Sequence, residues 1–261
     1  MRSAISVEEI TTYAACPERE RRRRLEPDVL PPMEKRYRSA VRTVLTRYYT
    51  ELMGGNRMSY NEIRRLWSTF WDVPVTLISR DVTKNHKSFL QSHFTDEELM
   101  LARGIKLLNA MRDRRINGEM DVLIVDEPWT VEFDGVTIEG TFDLVAKYPK
   151  GNVWIIEWAT SQREDYRYNL RHALKLQAYK NMTGKYATGL LVDLIGVSVD
   201  QLISSLRIEE ELKRQVREAA DIARAIQYEL YHRVIGPHCR AQCPYVDSCI
   251  GVDKIVSKDK H

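Results

Sequence analysis

The chain has 261 residues, 43% hydrophobic and 30% charged, with 40 Lys plus Arg against 37 Asp plus Glu and a formal net charge of +3. That length suits one large domain or two small ones, able to bury roughly three quarters of the unfolded surface. No apolar run nears the ~18 residues that cross a bilayer, and Met1-Arg2-Ser3-Ala4-Ile5 lacks the apolar core of a secretory signal. A cytoplasmic protein outside the membrane is therefore expected.

Ser6, with Glu9 three residues on, predicts a capped helix start. Arg19-Glu20-Arg21-Arg22-Arg23-Arg24 then sets five arginines in six positions, a pattern that suits either a solvated helix face or contact with a phosphate backbone. Further helices are predicted over 33–53, ending at Gly54-Gly55, and over 59–72 and 95–115. The last opens with Thr95 and Glu98 and carries Leu99, Leu101, Ile105, Leu108 and Met111 at near-helical spacing.

The pattern then turns β-branched. Strands are predicted at 122–125, 130–133, 136–147 and 153–157, punctuated by Pro128, by Asp134-Gly135, a hairpin signal, and by Pro149-Lys150-Gly151-Asn152. A helix over 165–182, a strand over 189–194 and a long amphipathic helix over 200–233 complete the body. The tail at 237–250 holds three of the four cysteines. There is no internal repeat. The expected fold class is α/β: a mixed central sheet flanked by helices, with a helical section over 1–118, a sheet core over 119–200 and a helix-plus-cysteine segment over 201–261.

Asp143 and Glu157 carry the chemistry. The turn at 149–152 joins their strands, and a hairpin of that length can bring the two carboxylates side by side. Two carboxylates with a backbone carbonyl and waters suit Mg²⁺ or Mn²⁺, hard ions that leave positions open for a phosphate. Two unrelated acids at strand ends are the plain alternative. Against it, Glu157 follows the apolar run Val153-Trp154-Ile155-Ile156, where an unpartnered carboxylate is costly.

Gly140-Thr141-Phe142-Asp143-Leu144, followed by Trp154-Ile155-Ile156-Glu157-Trp158-Ala159, resembles the core of the PD-(D/E)XK nucleases: a G-x-x-D strand, then apolar residues and (D/E)-x-K. The resemblance implies a restriction-endonuclease-like fold. It implies that Asp143, Glu157 and the main-chain carbonyl of Trp158 hold the divalent metal. The lysine that steadies the attacking water is due at 159, where this chain has Ala159. Three explanations stand: an inactivating replacement, a lysine relocated to Lys175, or natural loss of activity that leaves a binding protein.

Lys175-Leu176-Gln177-Ala178-Tyr179 resembles the helical Q-x-x-x-Y motif of the RecB-like branch, with Tyr179 at the tyrosine, Lys175 where glutamine is usual, and Gln177 as a register-shifted alternative. An ordinary amphipathic helix would read the same way. The segment Arg38 to Leu45 is similar to the helix that often supplies a metal-binding histidine in that branch. Arg42 stands in its place and could hold a phosphate, not a metal.

Cys16 precedes Pro17, and Cys239, Cys243 and Cys249 close the chain. A Cys-x₃-Cys-x₅-Cys triplet plus a remote cysteine suits an iron–sulfur cluster better than zinc, which favours paired knuckles on both sides. Tyr-x-x-Cys-Pro with a C-terminal triplet is similar to the iron–sulfur RecB-like nucleases of the AddB-type recombination and CRISPR-adaptation kinds. That resemblance implies a 4Fe–4S staple joining the two ends.

Together these imply a Mg²⁺- or Mn²⁺-dependent deoxyribonuclease, an exonuclease on single-stranded DNA or DNA ends, in recombination, repair, phage DNA processing or CRISPR adaptation. Proteins of recombination or CRISPR adaptation would be its partners. Arg21, Arg22, Arg23, Arg24, Arg42 and Gln177 are the expected DNA contacts, with Tyr166, Tyr168 or Tyr179 available to stack on bases. The rival is a non-catalytic iron–sulfur DNA-binding or assembly protein that keeps the nuclease fold.

Overall fold

The computed structural model describes residues 4–25, 32–71, 101–102, 104–105, 108–109, 111–113, 119–159, 170–194, 202–206 and 209–232. The predicted helix residues 95–100, the helix start at 165–169, Tyr166, Tyr168 and the three C-terminal cysteines lie outside them. The elements in order are β1 (Ile5–Ser6), α1 (Val7–Ala15), α2 (Pro17–Leu25), α3 (Pro32–Met53), α4 (Tyr60–Ser68), β2 (Asp121–Phe133), β3 (Val136–Lys147), β4 (Val153–Ala159), α5 (Leu170–Thr183), β5 (Gly189–Leu194), β6 (Leu202–Leu206) and α6 (Glu209–Gln227). The fold class is mixed α/β. No helix among the described residues is long and apolar enough to cross a membrane.

Two compact units form from interleaved segments, one within Met1–Val29, Thr130–Gly140 and Glu209–His261, the other within Leu30–Trp129 and Thr141–Ile208. In the first unit Ser6 caps α1: its side chain accepts from the Glu9 N–H, and the Glu9 carboxylate accepts from the Ser6 N–H at 2.9 Å. Pro17 opens α2, where its missing N–H is no loss. β1 pairs in parallel with the start of β3, Ile5 opposite Ile138. α6 lies against α1 and β1 through a stripe that includes Leu212, Ala219, Ala220, Ala223 and Ile226. The Tyr13 hydroxyl donates to the carbonyl of Leu230, and the Glu18 N–H donates to that of His232 at 3.1 Å.

The hairpin turn between β2 and β3 is Asp134-Gly135, both with positive φ (47° and 77°), the backbone that a two-residue hairpin loop demands. β2 continues through Pro128, which the sequence pattern treats as a break. Among the described residues its partner is β3, and an edge strand tolerates a residue that donates no N–H.

The second unit orders its strands β3–β4–β5–β6, antiparallel, parallel and antiparallel in turn. The parallel pair β4 and β5 needs a crossover, and α5 supplies it. The core of this unit gathers Tyr37, Val41, Val44, Leu45 and Tyr48 of α3, Ile63 and Trp67 of α4, and Leu144, Ala146, Ile156 and Leu191 of the sheet. Gly104 is required by a close approach: a Cβ there would lie 2.0 Å from Cζ2 of Trp67. Trp67 is fully buried and donates through Nε1 to the Leu101 carbonyl at 2.9 Å.

The expected helix over 200–233 is corrected. Residues 202–206 form β6, antiparallel to β5 with Gly189 opposite Leu206, and the helix begins at Glu209. Leu202 and Leu206 fit an i, i+4 helical pair. The intervening Ile203-Ser204-Ser205 favours helix weakly, and pairing satisfies the backbone groups along β5.

Candidate active site

A tight turn places the first two groups. The Gly151 N–H donates to the Tyr148 carbonyl at 2.8 Å, and Gly151 takes φ +84° to reverse the chain. The register that follows pairs Leu144 with Ile156 and Val145 with Ile155. One step further along it sets Asp143 across from Glu157, so both carboxylates share one face of the sheet. They are 5% and 7% exposed. β4 has a strand on each side, so Glu157 cannot reach water around an edge.

Buried charge of that kind requires partners, and α5 brings three. Lys175 Nζ lies 3.1 Å from Asp143 Oδ2 and 3.8 Å from Glu157 Oε2, bridging the pair. One turn earlier, Arg171 Nη1 donates to Glu157 Oε1 at 2.7 Å, and His172 Nε2 lies 3.3 Å from Glu157 Oε2. α3 adds Arg42, whose Nη1 sits 3.0 Å from Asp143 Oδ1, while its Nη2 donates to Asp126 Oδ1 at 2.5 Å. The Trp158 N–H donates to Asp143 Oδ2 at 3.3 Å.

Burial by itself raises the affinity of Glu157 for a proton. The Lys175 ammonium, the His172 contact and the Arg171 guanidinium outweigh it and hold the carboxyl well below the ordinary range. Burial likewise opposes the charge on Arg42, but Asp143 and Asp126 more than restore it. Three carboxylates, Asp126, Asp143 and Glu157, thus meet three basic side chains, Arg42, Arg171 and Lys175.

Among the expected site residues, Asp143, Glu157, Trp158, Lys175 and Arg42 come together. Ala159 ends β4 in register with Leu194. Tyr179, one turn beyond Lys175, packs edge-on against Phe142, with ring centroids 6.4 Å apart. Gln177 donates to Asn181 at 2.9 Å, and two residues from Lys175 it faces another side of the helix.

Four arginines of the run, Arg21 to Arg24, pair with acids of their own unit. Arg21 grips Glu18 through two nitrogens at 2.7 Å, Arg22 joins it at 3.0 Å, Arg23 meets Glu20 at 2.9 Å, and Arg24 reaches Glu20 and Glu9, each at 2.8 Å. Glu20 is fully buried, and Glu9 and Glu18 nearly so. Cys16, at the junction of α1 and α2, is buried as well.

Sequence reasoning missed Arg171, His172 and Asp126. The first two carried a readable signal, since 171, 172 and 175 fall on one helical surface when α5 is laid beside the carboxylate strands. Asp126 carried none.

The donor chemistry fits a hard divalent cation: two buried carboxylates on one sheet face, joined through a main-chain N–H that puts residue 158 against Asp143. No group of three or more His, Cys, Asp or Glu among the described residues is arranged to hold a metal ion. The Trp158 carbonyl, waters and substrate oxygens would have to complete the shell.

Residues 4–250 match the family model of the PD-(D/E)XK nuclease superfamily. No curated protein matches the chain. Among solved structures, the chain is 12% identical to a candidate exonuclease from Eubacterium rectale, covering 92% of this chain and 88% of that one with a TM-score of 0.48. It is 14% identical to the protein SSO0001, covering 98% and 88% with a TM-score of 0.37.

Proposed function

The chain belongs to the PD-(D/E)XK nuclease superfamily, and from that membership we propose that it is a metal-dependent deoxyribonuclease whose working lysine is Lys175. The observation that carries this is the bridge from Lys175 Nζ to both Asp143 and Glu157, from a helix and not from position 159. A family lysine is needed beside the carboxylates, and its strand position matters less than where its ammonium ends up.

Asp143, Glu157 and the Trp158 carbonyl would hold Mg²⁺ or Mn²⁺, which when bound polarises the scissile phosphate and lowers the pKa of a water. The protein's own groups do the remaining work. The Arg171 hydrogen bond fixes the rotamer of Glu157, and Lys175, His172 and Arg171 together keep it ionised. Lys175, 6% exposed, presents a positive charge in a water-poor place, where it neutralises charge growing on the phosphoryl oxygens. Arg42, at the rim, offers nitrogens to a phosphate.

Single-stranded DNA or DNA ends are the proposed substrate, in recombination, repair, phage DNA processing or CRISPR adaptation. A 4Fe–4S cluster held by Cys16, Cys239, Cys243 and Cys249 is proposed as a structural staple of the RecB-like iron–sulfur kind. It predicts a brown protein containing iron, whose colour is lost in Cys16→Ser; a colourless, iron-free preparation would refute it.

Ala159 favours a second reading, a DNA-binding protein without catalysis. Labelled single strands incubated with Mn²⁺ separate the two. Cleavage by the unmodified chain, lost in Asp143→Ala, supports the nuclease. Cleavage only after Ala159→Lys supports a chain inactivated at 159.

A further inference from the structure

Arg42 contacts two carboxylates through different nitrogens: Nη1 serves Asp143 Oδ1, while Nη2 and Nε serve Asp126 Oδ1 at 2.5 and 3.2 Å. It can therefore release one and keep the other. Asp143 is divided in the same way. Its Oδ2 receives Lys175 and the Trp158 N–H, and its Oδ1 receives Arg42.

The two cations on Asp143 differ in freedom. The Lys175 side chain is 6% exposed and the Arg42 side chain 46%. A half-exposed guanidinium has water at hand to replace a lost partner and a buried ammonium does not. Of the two cations on Asp143 it is therefore Arg42 that can leave, still held to Asp126 through two nitrogens. Asp126 is also unusual. It sits within β2 at φ +48°, the left-handed region that a non-glycine residue adopts at an energetic cost. That backbone turns its carboxylate, 35% exposed, to Arg42.

We propose that Arg42 is an exchangeable internal counter-ion that covers Asp143 Oδ1 until a divalent cation takes that oxygen, and that Asp126 is the positioning residue that retains the guanidinium at the rim afterwards. This inference rests on the metal-dependent reading above. Retained there, Arg42 keeps Nη1 available to a phosphate oxygen, so one side chain guards the empty carboxylate and then meets the substrate. Asp126 touches neither metal nor substrate and acts only through Arg42.

Mn²⁺ titration of the full chain without DNA tests this, with thermal unfolding of each variant as the folding control. Arg42→Gln removes one positive charge and a half-exposed competitor, so Mn²⁺ affinity should rise about tenfold. Asp126→Asn leaves Arg42 leaning on Asp143 alone, so affinity should fall several-fold, and Asp126→Glu should restore part of it. In the Arg42→Gln background, Asp126→Asn should change nothing, an outcome that a merely structural role for Asp126 would not give.

The proposal is overturned if Arg42→Gln leaves affinity unchanged or lowers it, or if Asp126→Asn acts equally with and without Arg42. Asp143→Asn separates the two layers. Binding that needs Asp143 but ignores Arg42 sinks the exchange and leaves the metal reading intact. An unmodified chain and an Arg42→Gln variant that both fail to bind Mn²⁺ sink both.

Discussion

Replacing Lys175 with methionine keeps most of the side-chain volume and removes one positive charge from between two buried carboxylates. At 3.1 and 3.8 Å, and with an effective dielectric constant of about 20, the two attractions amount to about 5 and 4 kcal/mol before the cost of burying the ammonium. Breaking a buried pair costs about 3–5 kcal/mol net, and with Arg42 and Arg171 still in place the lower end applies, about 3 kcal/mol. In a chain of this size that lowers the melting temperature by roughly 6–12 °C and leaves it folded at room temperature.

Two further readouts separate catalysis from stability. With one cation fewer beside the carboxylates, Lys175→Met should bind Mn²⁺ more tightly than the unmodified chain. Its cleavage rate should nonetheless fall by about 10²–10³, the usual cost of losing one charge aimed at the transition state. Denaturant unfolding, Mn²⁺ titration and a single-turnover assay on labelled DNA give the three numbers. A variant that loses stability as expected yet cleaves within about threefold of the unmodified chain would refute the catalytic role and leave Lys175 as a structural counter-ion.

Gly104→Ala would put a methyl group 2.0 Å from the Trp67 ring, so the buried indole must shift, and urea unfolding should show a loss of about 2–3 kcal/mol with no separate effect on metal binding. Glu18 gives a pH test. Arg21 and then Arg22 hold its carboxyl at about 2 instead of 4.5. Its folded-state pKa is depressed, so the stability it adds is present above 4.5 and disappears as the pH falls toward about 2. Unfolding of the unmodified chain and Glu18→Gln, compared from neutral pH downward, should show a gap that closes in that window; a gap independent of pH would contradict the pairing.

Legibility followed the local strength of each signal. Asp134-Gly135 and Gly54-Gly55 mark real chain reversals, which is why β3 and the end of α3 fall where the pattern puts them. β6 was hidden because Leu202 and Leu206 satisfy helical spacing, and only the open edge of β5 decides for a strand. Asp143 and Glu157 were readable because a short hairpin leaves little choice of register. Lys175 was readable only as one of several options, since nothing local says which face of α5 meets the sheet. Asp126 was not readable at all: its role comes from a left-handed residue inside a strand, meeting an arginine 84 positions earlier in the chain. The arginine run was conspicuous as charge, while its glutamates at i−3 and i−4 explain where that charge goes.

The most direct test of the central claim is the fate of end-labelled single-stranded DNA incubated with the unmodified chain and Mn²⁺. The account predicts shortened products that vanish with chelator and form about 10²–10³ more slowly in Lys175→Met, although position 159 remains alanine. DNA that is bound and returned intact, with products only from Ala159→Lys, would contradict it.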